Sequence, residues 1–168
     1  MRLAPSMSLI ASALALTLAA CGSSSSSGGG TPPAKPANGA PVALEVTKFT
    51  VGADRDGKVD VKGYNFSDKD LAGYTIAVRF TDKVGAVLKV GVGTPFEKDA
   101  AWTSMSGKRY MCKARSWCKF EVGMIEVPAA TAKAEAAITG ARALGADGMT
   151  FEEEEYWKSA KGMADWPL

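Results

Sequence analysis

The chain has 168 residues, 20 Lys and Arg against 18 Asp and Glu, a formal net charge of +2, and no histidine. Because the charges are so nearly balanced, the sequence lacks the excess of positive charge that nucleic-acid binding requires, and we expect no nucleic-acid partner. Without histidine the chain lacks the most common general base and the most common metal ligand, and we predict no catalytic residue, no metal site and no cofactor.

The first 20 residues are typical of an export signal. Arg2 is followed by an apolar run from Leu9 to Ala20, which is too short to span a membrane. The run ends in Leu18-Ala19-Ala20-Cys21, which resembles the lipobox of bacterial lipoproteins. This resemblance implies that residues 1–20 are a signal peptide and that membrane lipid is attached to the sulfur of Cys21. An ordinary secretory signal is the alternative, although Leu18 is large for a position that favours a small residue.

The residue after the cysteine, Gly22, bears on the membrane that the protein reaches. In Gram-negative lipoproteins an aspartate at this place retains the protein in the inner membrane, so the resemblance implies the outer membrane, with the protein on its periplasmic side. Residues 22–41 are rich in Ser, Gly and Pro and cannot bury apolar surface. We therefore predict a lipidated cysteine with a disordered tether at 21–41 and one domain at 42–168.

Most of the domain has a hydrophobic period of two. In the clearest strand, from Gly73 to Asp82, the side chains of Tyr74, Ile76, Val78 and Phe80 share one face, and the other face should be largely exposed. Further strands are predicted at residues 43–51, 59–61, 87–90, 108–112 and 118–127, separated by turns rich in Gly and Asp. About seven short strands at this spacing predict an all-β antiparallel sandwich.

Two segments near the C-terminus have patterns that suggest a helix. Residues 129–144 are rich in alanine, which favours a helix, but helical spacing gives no large apolar stripe, whereas Ala132, Ala134, Ala136 and Ile138 alternate with more polar residues. We interpret this segment as the closing strand, with a helix as the alternative. Thr150 and Glu153 have the spacing of a capping box, which predicts a short C-terminal helix that ends near Gly162.

A resemblance supports the sandwich. The stretches Asn65–Leu71, Tyr74–Asp82 and Gly85–Leu88 are similar to the central hairpin of small immunoglobulin-like domains of the FxLYD type. The resemblance implies an immunoglobulin-like fold. It carries over no catalytic residue, because its motif consists of a turn and a strand. Such domains are typically non-enzymatic modules on lipoproteins or secreted proteins.

Cys112 and Cys118 form an even pair once Cys21 carries lipid. In an oxidising compartment such a pair is expected to form a disulfide, and the five residues between them fit a hairpin loop with a bridge at its neck. A redox-active pair normally has C-x-x-C spacing, and a metal site needs further ligands that the sequence does not show. The structural disulfide is therefore the preferred interpretation over redox or metal chemistry and free thiols.

The disulfide loop is the best candidate for a binding surface. No acidic residue occurs from Lys108 to Lys119, and aromatic residues lie among the cations. Such a surface suits an unknown anionic envelope component, for example lipopolysaccharide, a glycan polymer or an acidic protein. The candidate residues are Lys108, Arg109, Tyr110, Lys113, Arg115, Trp117 and Lys119. The plainer alternative is that these charges face water or pair with Glu152–Glu155 of the same molecule.

The expected function is that of a lipid-anchored envelope protein with a non-enzymatic binding or scaffolding domain. One alternative is an envelope enzyme that uses carboxylates such as Asp68, Asp70 and Glu152–Glu155, or a serine activated by lysine. An enzyme should have a deep pocket whose carboxylates are shifted in pKa by burial. A third alternative is a metal carrier that uses Met105, Met111, Met124 and the two cysteines, although such methionines more often fill gaps in a core.

Overall fold

The computed structural model describes residues 30–124, 126–145, 147, 155–162 and 166–167. The signal peptide and Cys21 lie outside these residues. The described elements are β1 (Val42–Val51), β2 (Gly57–Asn65), β3 (Leu71–Thr81), β4 (Val87–Leu88), β5 (Ala101–Ser106), the 3-10 turn η1 (Lys108–Tyr110), β6 (Trp117–Met124), β7 (Lys133–Ala143) and β8 (Trp157–Lys158). The described part of the chain contains no helix with the length and apolar character to cross a membrane.

The strands form two antiparallel sheets. The first has the order β1-β2-β6, and in the second β3 is the central strand. β7 pairs with one edge of β3, β4 and β5 share the opposite edge, and β8 adds two residues to the far edge of β7. The predicted all-β antiparallel sandwich is confirmed, and the described residues contain eight strands, against about seven predicted.

The core lies between the inner faces of the two sheets. Tyr74, Ile76, Val78 and Phe80 of β3 are all buried, and the first sheet contributes Val59, Val61, Phe120 and Val122. Aromatic contacts cross the sandwich: the Phe49 and Phe80 rings lie 6.0 Å apart, and the Tyr74 and Phe120 rings stack at 5.5 Å. Each such side chain contributes roughly 1.5–3 kcal/mol relative to an exposed one. The alternation in β3 therefore predicts its inner face correctly.

The outer face of β3 differs from the expectation of a largely exposed surface. Ala77 is fully buried and Thr81 nearly so. The cause is the central position of β3, because strands cover both of its edges. On the outer face Ala77 lies directly opposite Trp102 of β5 and Ala137 of β7.

Residues 133–143 form β7, so the strand interpretation of the alanine-rich segment is confirmed. The predicted C-terminal helix is wrong where the structure describes it. Trp157 and Lys158 form a strand that pairs with Ala141 and Gly140, while Thr150 and the first part of the predicted helix lie outside the described residues. The free edge of β7 offers backbone partners to this segment, and Trp157 and Lys158 take up that pairing instead of helical hydrogen bonds.

The predicted strand at 108–112 is also wrong. Lys108–Tyr110 is a 3-10 turn, entered through Gly107 at a φ of 124°, a backbone conformation that glycine adopts without strain. Cys112 then pairs with Leu71 as an isolated bridge. The disulfide loop consequently connects a turn to β6 rather than two strands of one hairpin.

An ion pair on the outer side of the second sheet makes stability depend on pH. The Arg79 guanidinium lies 2.6 Å from the Glu135 carboxylate, and Lys133 Nζ lies 3.0 Å from its other oxygen. The hydrogen bond from Arg79, and then the one from Lys133, lower the pKa of Glu135. A lowered folded-state pKa stabilises the protein above the pKa of the unfolded carboxyl, and this stabilisation is lost as the pH falls through the folded value.

We expect Glu135→Gln to lower the free energy of unfolding by about 1 kcal/mol at neutral pH, because the pair is partly exposed. Below the folded-state pKa the difference from the wild type should disappear. Urea unfolding across the acid range checks this, with Glu45→Gln as an exposed-acid control. A deficit that persists unchanged at low pH would contradict the ion-pair explanation.

Candidate functional site

Most of the predicted site residues lie at one end of the sandwich, which we call the basic pole. It consists of the loops 65–71 and 111–117 with the strand ends that flank them. Strand register brings these ends together, because Val42 pairs with Asn65, Tyr64 with Trp117, and Leu71 with Ala143. The Leu71–Cys112 bridge joins the two loops by their backbones.

The predicted disulfide is confirmed. Cys112 and Cys118 are bonded, with their Cα atoms 5.0 Å apart. Both residues belong to the hydrophobic core, so the bridge ties loop 113–117 directly to the core. Because both sulfurs are used in this bond, neither is a thiolate available to a metal.

The buried side chain of Asn65 couples the two loops of the basic pole. Its Nδ2 donates hydrogen bonds to the carbonyl oxygens of Lys69 at 2.8 Å and of Cys112 at 2.9 Å. Its Oδ1 accepts from the backbone N–H of Ser67 at 2.9 Å and from the Ser67 hydroxyl at 2.7 Å. A fully buried amide that satisfies both of its ends in this way holds a unique loop arrangement.

Two further contacts hold the disulfide loop against loop 65–71. The Asp70 carboxylate accepts a hydrogen bond from the backbone N–H of Ala114 at 2.8 Å. The carbonyl of Ser67 accepts one from the backbone N–H of Arg115 at 3.2 Å. Asp70, which the sequence offers as a carboxylate for acid–base chemistry, thus supports a loop, while Asp68 is exposed.

Trp117 forms a platform on the outer face of the first sheet. Lys62 Nζ lies 3.8 Å from the centre of the Trp117 ring, a cation–π distance. The Tyr64 ring meets Trp117 edge-on at 5.3 Å and Phe66 at 4.9 Å. Lys119 lies opposite Lys62 across β2 and β6, so two like charges stand side by side.

Lys62, Tyr64 and Phe66 are absent from the sequence-predicted set. They precede Trp117 by more than 50 positions, and only the pairing of β2 with β6 brings them together. The sequence feature that could have pointed to Lys62 and Tyr64 is the alternation of polar and apolar residues in β2, which places both on one face of that strand.

The remaining candidates form a second group. Lys108 and Arg109 are exposed on η1, and the Arg109 guanidinium lies 4.6 Å from the Tyr110 ring. Tyr110 packs against Phe120 at 6.0 Å, and Phe120 belongs to the core face of β6. The seven predicted residues therefore surround β6 as two groups rather than forming one continuous patch.

Among the described residues no acidic side chain lies within ion-pair distance of the cations of either group, although Glu45 stands opposite Lys62 across β1 and β2. The ion pairs in that part of the chain lie elsewhere, for example Lys58 with Glu121 and Lys89 with Glu97. Of the acids proposed as internal partners, Glu152–Glu154 lie outside the described residues, and Glu155 pairs with Lys158 at 3.3 Å. Arg115, Lys119 and Lys62 therefore make no ion pair within the described residues.

Part of the predicted tether runs across the basic pole. The carbonyl of Gly30 accepts a hydrogen bond from Trp117 Nε1 at 3.2 Å, and Asn38 Nδ2 donates to the carbonyl of Pro167 at 3.0 Å. Ala40 and Pro41 are buried. Contacts with the domain therefore begin earlier than the predicted boundary at Val42.

A cleft of about 340 Å³ lies between this segment and the pole. It combines aromatic and cationic side chains with one acid and is open to solvent. Its lining is Lys35, Gly39, Pro41, Phe66, Ser67, Asp68, Arg115, Tyr156 and Trp157.

A second cleft, on the outer face of the second sheet, bears on the enzyme alternative. It contains Thr75, Ser104, Arg142 and Glu155. The Ser104 and Thr75 hydroxyls lie 3.4 Å apart, and the lining contains no lysine that would activate the serine. The hydroxyl of Ser104, the serine in this cleft, thus lies beside another hydroxyl rather than beside a base that could activate it as a nucleophile.

The residues of the metal-carrier alternative are dispersed. Met124 is buried in the core and Met105 packs against it. Within residues that the structure describes, no group of three or more Cys, Asp and Glu is arranged to hold a metal ion.

The fold and the basic pole define the class as a small antiparallel β-sandwich with a disulfide-bonded cationic loop. No protein-family model matches the chain, and no curated protein matches it. Among solved structures it is similar to a DUF1425 family member from Shewanella sp. pv-4, with 12% identity over 58% of this chain and 75% of the other. The TM-score of that match is 0.36.

Proposed function

We propose that this chain is a lipoprotein of the outer membrane, attached through lipid on Cys21 and facing the periplasm. Its domain acts as a non-enzymatic binding or scaffolding module. The basic pole is the binding surface, and the partner is an anionic component of the cell envelope.

The observation that carries this proposal is the Trp117 platform beside Lys62, Lys119 and Arg115, which make no ion pair within the described residues. Trp and Arg contribute more binding energy than other residue types at interfaces. Lys62 and Tyr64 restrain Trp117, and the disulfide and Asn65 restrain the loop that carries Arg115. A surface held in this way loses little conformational entropy when it binds.

A retention experiment tests the proposal. We expect Arg115→Asn/Trp117→Ala to weaken binding of the mature Cys21→Ser chain to isolated outer-membrane material by at least about tenfold. Asparagine is chosen because Arg115 has a φ of 53°, which asparagine tolerates better than most residues. Sedimentation with the membrane material provides the measurement, and the melting temperature reports on folding.

The matched control is Lys83→Gln/Phe96→Ala, which also removes one cation and one exposed aromatic ring. These residues lie in the loops after β3 and β4, away from the start of β3 at the basic pole. Equal retention of both variants and of the parent chain, with unchanged melting temperatures, would refute the proposed binding surface.

A further inference from the structure

We infer that the anionic component is the bilayer itself: the basic pole rests on the phosphate headgroups of the membrane that carries the Cys21 lipid. This assignment rests on the proposed function and names the partner of the same site. It follows from where the chain enters the domain, from the length of the connection and from the side chains at the pole.

The chain enters the domain at the pole that carries the charge. Gly30 is hydrogen-bonded to Trp117, and Lys35 lines the cleft beside Arg115 and Tyr156. Nine residue steps separate Cys21 from Gly30, a connection that spans at most about 30 Å when fully extended. A Ser- and Gly-rich chain of this length has a mean end-to-end distance of roughly 15–18 Å. An anchor on Cys21 therefore holds the basic pole, rather than the opposite end, next to the bilayer.

Because the tether is short, weak contacts are sufficient to keep the basic pole on the bilayer. A second contact through a short connection experiences an effective concentration on the order of millimolar. Each Lys or Arg close to an anionic lipid surface strengthens binding by about fivefold. Several such cations on the pole are therefore enough to keep the domain docked.

The side chains at the pole match the chemistry of a headgroup layer. Trp and Tyr are enriched where proteins meet the boundary between lipid and water, because their rings are amphipathic. Trp117 is half-buried and Tyr156 is 38% exposed, while Arg115 offers a planar group that can bind phosphate through two hydrogen bonds. Asp68 is an exposed acid in the cleft, and its repulsion of phosphate is outweighed only where several cations face the headgroups.

The shape of the surface favours a headgroup layer over an acidic polymer or protein. The cations form two groups near β6, one around the disulfide loop and one on the 3-10 turn η1, and the cleft of about 340 Å³ beside the tether reaches only the first group, through Arg115. A layer of phosphates can contact projecting groups that are not connected by a groove. A polymer would need a continuous track across both groups.

The test uses the lipidated mature chain on vesicles. Amide hydrogen exchange of residues 62–66 and 113–119 is compared on phosphatidylethanolamine vesicles that contain phosphatidylglycerol or, instead, phosphatidylcholine. We expect protection on the anionic vesicles that salt reverses. Arg115→Asn/Lys119→Gln should weaken the docking equilibrium by about 30-fold, whereas Lys58→Gln/Lys83→Gln, which removes the same charge elsewhere, should leave it unchanged.

Three results would overturn the assignment. The first is equal exchange on anionic and neutral vesicles. The second is protection by inorganic phosphate on neutral vesicles, which would indicate a site for a free anion. The third is protection by a soluble acidic polysaccharide and not by phosphatidylglycerol, which would indicate a polymer partner. Failure of the protein to remain on any vesicle would instead refute the anchor, and so the proposed function itself.

Discussion

Replacement of Cys21 by serine is expected to release most of the protein from the membrane fraction, leaving only the weaker attachment through the basic pole. With the sulfur gone, no diacylglyceryl group can be attached. Acyl chains contribute about 0.8 kcal/mol for each buried methylene, so two or three chains hold a protein firmly and their loss removes that affinity. Fractionation of cells, with mass analysis of the mature N-terminus, checks the prediction.

A second substitution tests the destination separately. Gly22→Asp keeps the lipid but places an aspartate after the cysteine, and the lipoprotein resemblance then implies retention in the inner membrane. The control is Ser24→Ala, which should change neither outcome. A Cys21→Ser protein that stays in the membrane fraction at the wild-type level would contradict lipid anchoring at this residue.

Asn65→Ala is expected to cause the largest loss of stability, about 3 kcal/mol. The substitution removes four hydrogen bonds. The carbonyls of Lys69 and Cys112 keep the Ser67 hydroxyl and the Leu71 N–H as partners, but the N–H of Ser67 loses its acceptor. A buried polar group without a partner costs roughly 1–3 kcal/mol, and each further lost hydrogen bond adds about 1 kcal/mol or less. We also expect faster amide exchange across residues 113–117, because Asn65 links that loop to residues 65–71.

Urea unfolding measures the loss of stability in Asn65→Ala, and hydrogen exchange measures the faster amide exchange of residues 113–117. Asn38→Ala is the matched control, since Asn38 also accepts from a backbone N–H and donates to a carbonyl but is only half-buried. We expect Asn38→Ala to lower the free energy of unfolding by about 1 kcal/mol. If Asn65→Ala proves no more destabilising than Asn38→Ala, Asn65 does not have the coupling role assigned to it.

Asn65 supports the proposed binding surface indirectly. Because its side chain is buried, it cannot touch a bound molecule, but it positions the backbone of the loop that carries Lys113 and Arg115. A loop closed by the disulfide at one end and held by Asn65 and Asp70 along its length presents its cations in a limited set of orientations. Loss of either restraint should therefore weaken binding through disorder of the loop rather than through loss of charge.

Local sequence predicts much of this protein. The alternation of Tyr74, Ile76, Val78 and Phe80 is sufficient to identify β3 and its core face, because side chains of a strand point alternately to its two sides. The same reasoning identifies β7 despite its alanines. The spacing of Cys112 and Cys118 permits a bridge at the neck of a loop, and an even pair in an oxidising compartment is expected to form it.

The errors occur where pairing between distant segments decides the outcome. The capping signal at Thr150 predicts a helix, but the free edge of β7 pairs with Trp157 and Lys158. The apolar and aromatic content of 108–112 suggests a strand, but this segment turns at Gly107 and forms a single bridge to Leu71. In both cases a backbone partner that is remote in sequence outweighs a weak local preference.

The sequence alone therefore determines the all-β class, the core face of the central strand and the disulfide, and it predicts an export signal with a candidate lipid site, because each depends on residues within one short segment. Only the tertiary structure decides that Lys62 covers Trp117, that Asn65 joins two loops, and that the tether enters the domain beside the cations. These contacts link residues that are about 50 or more positions apart. They depend on strand order and register, which the whole core sets through packing rather than any local pattern.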